Sequence, residues 1–148
     1  MYRRILVPLE NSPTDAYILD HVRELARFCK SSLVLMHVAD GWAARNIRQL
    51  DLRESEEMRQ DREYLERVAN DLTHEGLPAE AVLASGDPAK EITAGAEREQ
   101  CDLIAMGTHG HKLIGDIIHG SVANEVRHKS MVPVLLVRAP AGSRKVTG

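Results

Sequence analysis

Five short runs of Val, Ile and Leu recur along this 148-residue chain, with helix-like segments between them. The runs are RILVPL (Arg4 to Leu9), SLVLMHVA (Ser32 to Ala39), EAVLA (Glu80 to Ala84), DLIAMG (Asp102 to Gly107) and VPVLLVR (Val132 to Arg138). Several are apolar at consecutive positions, the pattern of strands buried on both faces. From Pro13 to Lys30, Ile18, Leu19, Val22, Leu25, Ala26 and Cys29 form one apolar stripe at helical spacing. From Leu52 to His74 the stripe is Met58, Leu65, Val68, Ala69 and Leu72, opposite a solvated face of Glu, Asp and Arg. A third helix starts at GDPAKEI, with Asp87 as N-cap and Pro88 in the first turn, where a missing N–H costs nothing. A fourth is expected from about Gly120-Ser121, ending before Pro133. The order β-α-β-α-β-α-β-α-β implies a parallel sheet with right-handed crossovers and helices on both faces. No compositional break divides it, so residues 1–148 read as a single domain, with a loose tail from about 139 to 148. The link from Asp40 to Leu52 carries the sole Trp, Trp42, which either seals the sheet edge or covers a ligand mouth.

Charge and hydropathy exclude several functions. The net charge of −3 leaves no electrostatic footprint for nucleic acid. No run approaches the roughly 18 apolar residues that span a bilayer. The apolar run in MYRRILVPLENS is too short for the core of a signal peptide, so a cytoplasmic location is expected. Cys29 and Cys101 form no CxxC pair and read as reduced thiols that pack as small hydrophobes.

In a doubly wound sheet, ligands bind beyond the carboxyl ends of the strands, where strand order reverses. GTHGHKLIGDIIHGS, Gly107 to Ser121, occupies that rim after the fourth strand. Glycines at 107, 110 and 120 would bare the backbone, and a helix starting at Gly120-Ser121 would aim unpaired amides and its dipole at a phosphate. Neither GxxxxGK[ST] nor a GxGxxG after the first strand is present. The acid pair and lysine of a phosphoacceptor receiver are missing as well, as are SGGxDS-like and HIGH-like motifs. His109, His111 and His119 lack the Cys partner or helical HxxxH of a closed metal site, and no protein-only metal site is expected. His37, inside an apolar strand, reads as a core or pocket residue rather than a base. Glu10 has no nucleophile or orienting partner to make it part of a triad, and no catalytic residue is assigned.

What remains is G-x2-G-x9-G-[ST], spanning Gly107, Gly110, Gly120 and Ser121. With ILVPLENS, LVLMHVAD, GDPAKEI and VPVLLVR in the same order, it resembles the universal stress protein family, in its nucleotide-binding branch, over nearly the whole chain. The resemblance implies an α/β, Rossmann-like fold of the adenine nucleotide alpha hydrolase kind, strand order 3-2-1-4-5. It implies a homodimer through the fifth strands and ATP, or AMP or ADP, at the strand rim. Carried over by position, the main chain at Val38 meets adenine, and Pro8, Leu9 and Glu10 lie near the ribose. Met106, Gly107, His109, Gly110, Gly120, Ser121 and Val122 hold the phosphates, with Mg²⁺ or Mn²⁺ as a companion ion. Glu10 stands where the family commonly has Asp, and His111 where a basic residue often follows the second glycine. An adenine-nucleotide-binding stress-response protein, with at most slow ATP hydrolysis, is the expected function. Its rival is a dimeric interaction module with an empty pocket.

Overall fold

A computed structural model describes the backbone of residues 1–40, 47–109 and 115–139, with side chains at 1–39, 56–108 and 122–139. Nine elements follow one another: β1 (Arg4–Pro8), α1 (Asp15–Cys29), β2 (Ser32–Asp40), α2 (Ile47–His74), β3 (Ala79–Gly86), α3 (Pro88–Arg98), β4 (Leu103–His109), α4 (Gly115–Lys129) and β5 (Val134–Ala139). The strands pair in parallel, as the alternation of strand and helix implied, and in the order β3-β2-β1-β4-β5, as the family resemblance implied.

Consecutive strand residues point to opposite faces, and here both faces are covered. Ile5, Val7, Leu33, Leu35, Leu103 and Ala105 pack with Ile18, Leu19, Val22 and Ala26 of α1 and Leu65, Ala69 and Leu72 of α2. Their neighbours Leu6, Val34, Met36, Ile104 and Met106 pack with Ala89, Ile92 and Ala96 of α3 and Val126 of α4. This two-sided burial explains why the strand runs are continuously apolar. At the amino ends of the strands, Arg4 Nη2 lies 3.1 Å from both Glu80 and Glu99, joining β1, β3 and the end of α3. The Arg3 and Arg4 amides donate to the Asp102 carboxylate, which ties the start of β1 to that of β4.

Element boundaries moved for local reasons. The α3 cap is as expected: the Asp87 carboxylate accepts from the Lys90 amide at 3.0 Å. Helix α2 begins at Ile47, not Leu52, because IRQLD contains no glycine or proline to stop it. Trp42 lies outside the described residues. Helix α4 begins at Gly115, so Gly120 and Ser121 lie inside it instead of opening it. One interior glycine costs a helix about 1 kcal/mol, too little to set its start. Strand β4 extends to His109 and pairs there with Ala139, which is buried and belongs to β5 and not to a tail.

Candidate functional site

Strand β1 lies between β2 and β4, and strand order reverses there. Its chain leaves the sheet after the Leu9 amide donates to the Met36 carbonyl at 2.8 Å. Beyond this point β2 and β4 continue without β1 between them, and a cleft of about 390 Å³ opens. Its lining comes from five elements or their ends. Pro8, Leu9 and Glu10 close one side; Met36, His37 and Val38 come from β2; Met106 and Gly107 come from β4. Pro88 and Ile92 of α3, with Val122 and Ala123 of α4, form the opposite wall.

The cleft therefore gathers Pro8, Leu9, Glu10, Val38, Met106, Gly107 and Val122, each named from the sequence. Gly110, and the side chains of His109 and Ser121, fall outside the described residues. Gly120 is a helical residue in α4, where i→i−4 bonding engages its amide. Gly107 also differs from expectation: an added Cβ would meet Ile18 Cβ at 3.4 Å, on the α1 side of the sheet. Its side-chain position thus faces α1 at ordinary contact distance, while its backbone lines the cleft.

Main-chain direction gives Val38 its importance. In a strand, the N–H and C=O of residues two apart point to the same side. The Met36 carbonyl faces β1, so the peptide groups of Val38 face the space β1 has left. One donor and one acceptor thus point into a cleft walled by Met36, Ile92, Met106 and Val122.

The rim loop after β1 is held from beneath. Asp15, at the first position of α1 and 5% exposed, accepts from the amides of Glu10, Asn11 and Ser12 at 3.0, 2.9 and 3.3 Å. The Tyr64 hydroxyl of α2 donates to it at 2.6 Å. Burial, and then this bond to Asp15, push the Tyr64 phenol well above its ordinary value. Successive amides of this kind form a nest suited to an anion, and the protein's own carboxylate fills it. These amides are therefore already engaged within the protein. His37 is held too, with Nδ1 2.9 Å from the Leu9 carbonyl oxygen and Nε2 3.2 Å from Asp61.

His37, read from the sequence as a core or pocket residue, lines the cleft. Reading the sequence missed Met36, Pro88, Ile92 and Ala123 as lining residues, and Asp15, Asp61 and Tyr64 as supports. Met36 is two residues from Val38, so strand position could have found it. Asp61 and Tyr64 are on a helix about fifty residues downstream, in a charge-rich face with no local mark.

The model of the universal stress protein family matches residues 1–138. A universal stress protein of Methanothermobacter thermautotrophicus is 30% identical over 93% of this chain and 97% of its own. The solved structure of MJ0577 of Methanocaldococcus jannaschii superposes with a TM-score of 0.79 at 29% identity, covering 95% of this chain and 98% of that one. A universal stress protein of Archaeoglobus fulgidus, solved in complex with dAMP, has the same fold with a TM-score of 0.65 at 24% identity, covering 92% and 98%.

Proposed function

The chain belongs to the universal stress protein family, and from that premise we propose that its cleft binds an adenine nucleotide, ATP, ADP or AMP, whose occupancy governs a stress-response role. The observation that carries this reading is the pair of Val38 peptide groups directed into a narrow apolar slot. Adenine offers a neighbouring acceptor and donor at its edge and a flat face on either side, which suits such a slot. The volume of about 390 Å³ falls in the range of small-molecule sites, about 300–1,000 Å³. Glu10, at the mouth, can accept hydrogen bonds from ribose hydroxyls. The Archaeoglobus protein solved with dAMP has the same fold, which supports an adenine nucleotide as the ligand.

Phosphates leaving the ribose would run toward His109, Gly110, Gly120, Ser121 and Val122. Gripping them with the Gly120 and Ser121 amides requires α4 to give up its first turns, because those amides lie within the helix. Mg²⁺ or Mn²⁺ would enter on the phosphate oxygens; among the described residues no three His, Cys, Asp or Glu side chains come together to hold a metal.

Thermal unfolding with ATP, AMP and inorganic phosphate tests the reading. Saturation about a hundredfold above Kd stabilises by about 2.7 kcal/mol, which for this size is a rise of roughly 5–10 °C in Tm. ATP and AMP should both produce it, and phosphate alone should not. Flat melting curves at millimolar nucleotide would reject the reading in favour of an empty-pocket interaction module.

A further inference from the structure

The His37 side chain is 16% exposed at the wall of the cleft and faces an acceptor at each ring nitrogen. Nδ1 lies 2.9 Å from the Leu9 carbonyl oxygen, and Nε2 lies 3.2 Å from Asp61 Oδ2. A carbonyl and a carboxylate only accept, so holding both needs two ring N–H groups, which only the imidazolium has. Asp61 Oδ1 in turn accepts from Asn11 Nδ2 at 3.0 Å. Asn11 takes φ 62 beside Glu10, in the loop that closes the ribose side of the cleft. A continuous chain of hydrogen bonds thus runs from the sheet through His37 to α2 and back to the rim loop.

We propose that His37 is a positioning residue of the cleft: as an imidazolium it latches the rim loop to α2 through Asp61, and nucleotide affinity falls when it gives up its second proton. The affinity half rests on the nucleotide reading; the latch does not. A neutral ring keeps Nδ1–H on Leu9 and turns the Nε2 lone pair toward the Asp61 carboxylate. That contact becomes repulsive, Asp61 withdraws, and Asn11 loses its anchor. The Asp15–Tyr64 bond remains, so the loop loosens without unfolding. Among the described residues, Asp61 of α2 is the charged group bonded to the ring, and Glu10 of the rim loop lines the same cleft. On β3, Leu83 is in register with His37, and α3 contributes Pro88 and Ile92 to the same cleft.

The test uses the full chain without and with ATP. Because both ring nitrogens face acceptors, side-chain ¹⁵N NMR at about pH 6 should find both His37 ring nitrogens protonated. As His37 titrates, the Asn11 side-chain amide and the α2 amides near Asp61 should shift with it. ATP affinity of the wild type should fall about fivefold from pH 6 to 8.5, at the low end of coupling between sites. In Asp61→Asn the amide can donate to a neutral ring, so the affinity should lose that pH dependence. A neutral His37 ring at pH 6, or the same pH slope in Asp61→Asn as in wild type, overturns the proposal. Should Asp61→Asn fail to fold, the wild-type NMR titration decides by itself. A ring found neutral at pH 6 in a protein that still binds ATP sinks the latch alone. No ATP binding at any pH, with His37 still titrating together with Asn11, sinks the affinity half and the nucleotide reading while the latch stands.

Discussion

At the residue scale, the most demanding group is Asp15, a carboxylate 5% exposed that takes three loop amides and one phenol. Asparagine keeps the shape but loses one accepting oxygen and the charge. Asp15→Asn should therefore cost about 2–4 kcal/mol, between a charged hydrogen bond and a broken buried ionic contact. Tyr64→Phe should cost about 1–2 kcal/mol. Because the two share a bond, the double variant should lose less than the sum of the singles in urea denaturation. Asp102 predicts an acid limb. Its burial opposes ionisation, yet the Arg3 and Arg4 amides outweigh burial and hold the carboxyl below its ordinary range. A lowered folded-state value means its contribution is complete above the unfolded carboxylate range and fades as pH falls through the folded value. Asp102→Asn should flatten that part of the stability–pH curve, and an unchanged acid limb would rule Asp102 out as its source. Burial also raises the Cys101 thiol to about 11, which keeps it protonated at neutral pH, in line with its reading as a small buried hydrophobe.

At the element scale, α3 meets the cleft through a close approach that composition alone does not reveal. A Cβ on Gly95 would collide with the end of the Met36 side chain, and Met36 lines the cleft. The Met36 methyl is flexible and can swing away, so Gly95→Ala sets that displacement against a helix-propensity gain of about 1 kcal/mol. Stability should change by less than about 1 kcal/mol, while ATP affinity falls as the Met36 side chain is pushed into the slot. Unaltered affinity by calorimetry would mean that Met36 relaxes away from the ligand. Helix α4 poses the converse case. Gly120→Ala should strengthen the helix around it by about 1 kcal/mol, so a ligand that must open the first turns binds about fivefold less well. ATP affinity should drop by that factor while adenosine affinity holds, and an equal loss for both would show that α4 need not open. The sequence marked Asp87-Pro88 correctly because a cap and the amide that donates to it are three residues apart. It misplaced the starts of α2 and α4 because apolar spacing shows which face of a helix is buried and not where its first turn begins.

At the scale of the whole molecule, β5 pairs with β4 on one side only and forms an edge of the sheet. Leu136 on it is 40% exposed, and nearby Met131 is 84% exposed. An open apolar edge invites another strand, and we propose that a second copy of the chain pairs there across a two-fold axis. Leu136→Lys should then shift sedimentation from dimer to monomer and leave the far-UV spectrum unchanged; a wild type that sediments as a monomer would remove the dimer outright. The parallel sheet and the rim position of the cleft were legible in the sequence, because two-sided burial forces consecutive apolar residues and alternation with helices forces parallel strands; the strand order was legible only through the resemblance to the family. Pro8, Leu9, Glu10, Val38 and Met106 were legible through the motifs that resemble the family. The Asp15 nest, the His37–Asp61 latch and the side to which Gly107 points were not. Each depends on which side chain of one element reaches a backbone or side chain dozens of residues away. Local periodicity says which face of an element is apolar; only the packed fold decides which polar groups on its margins meet.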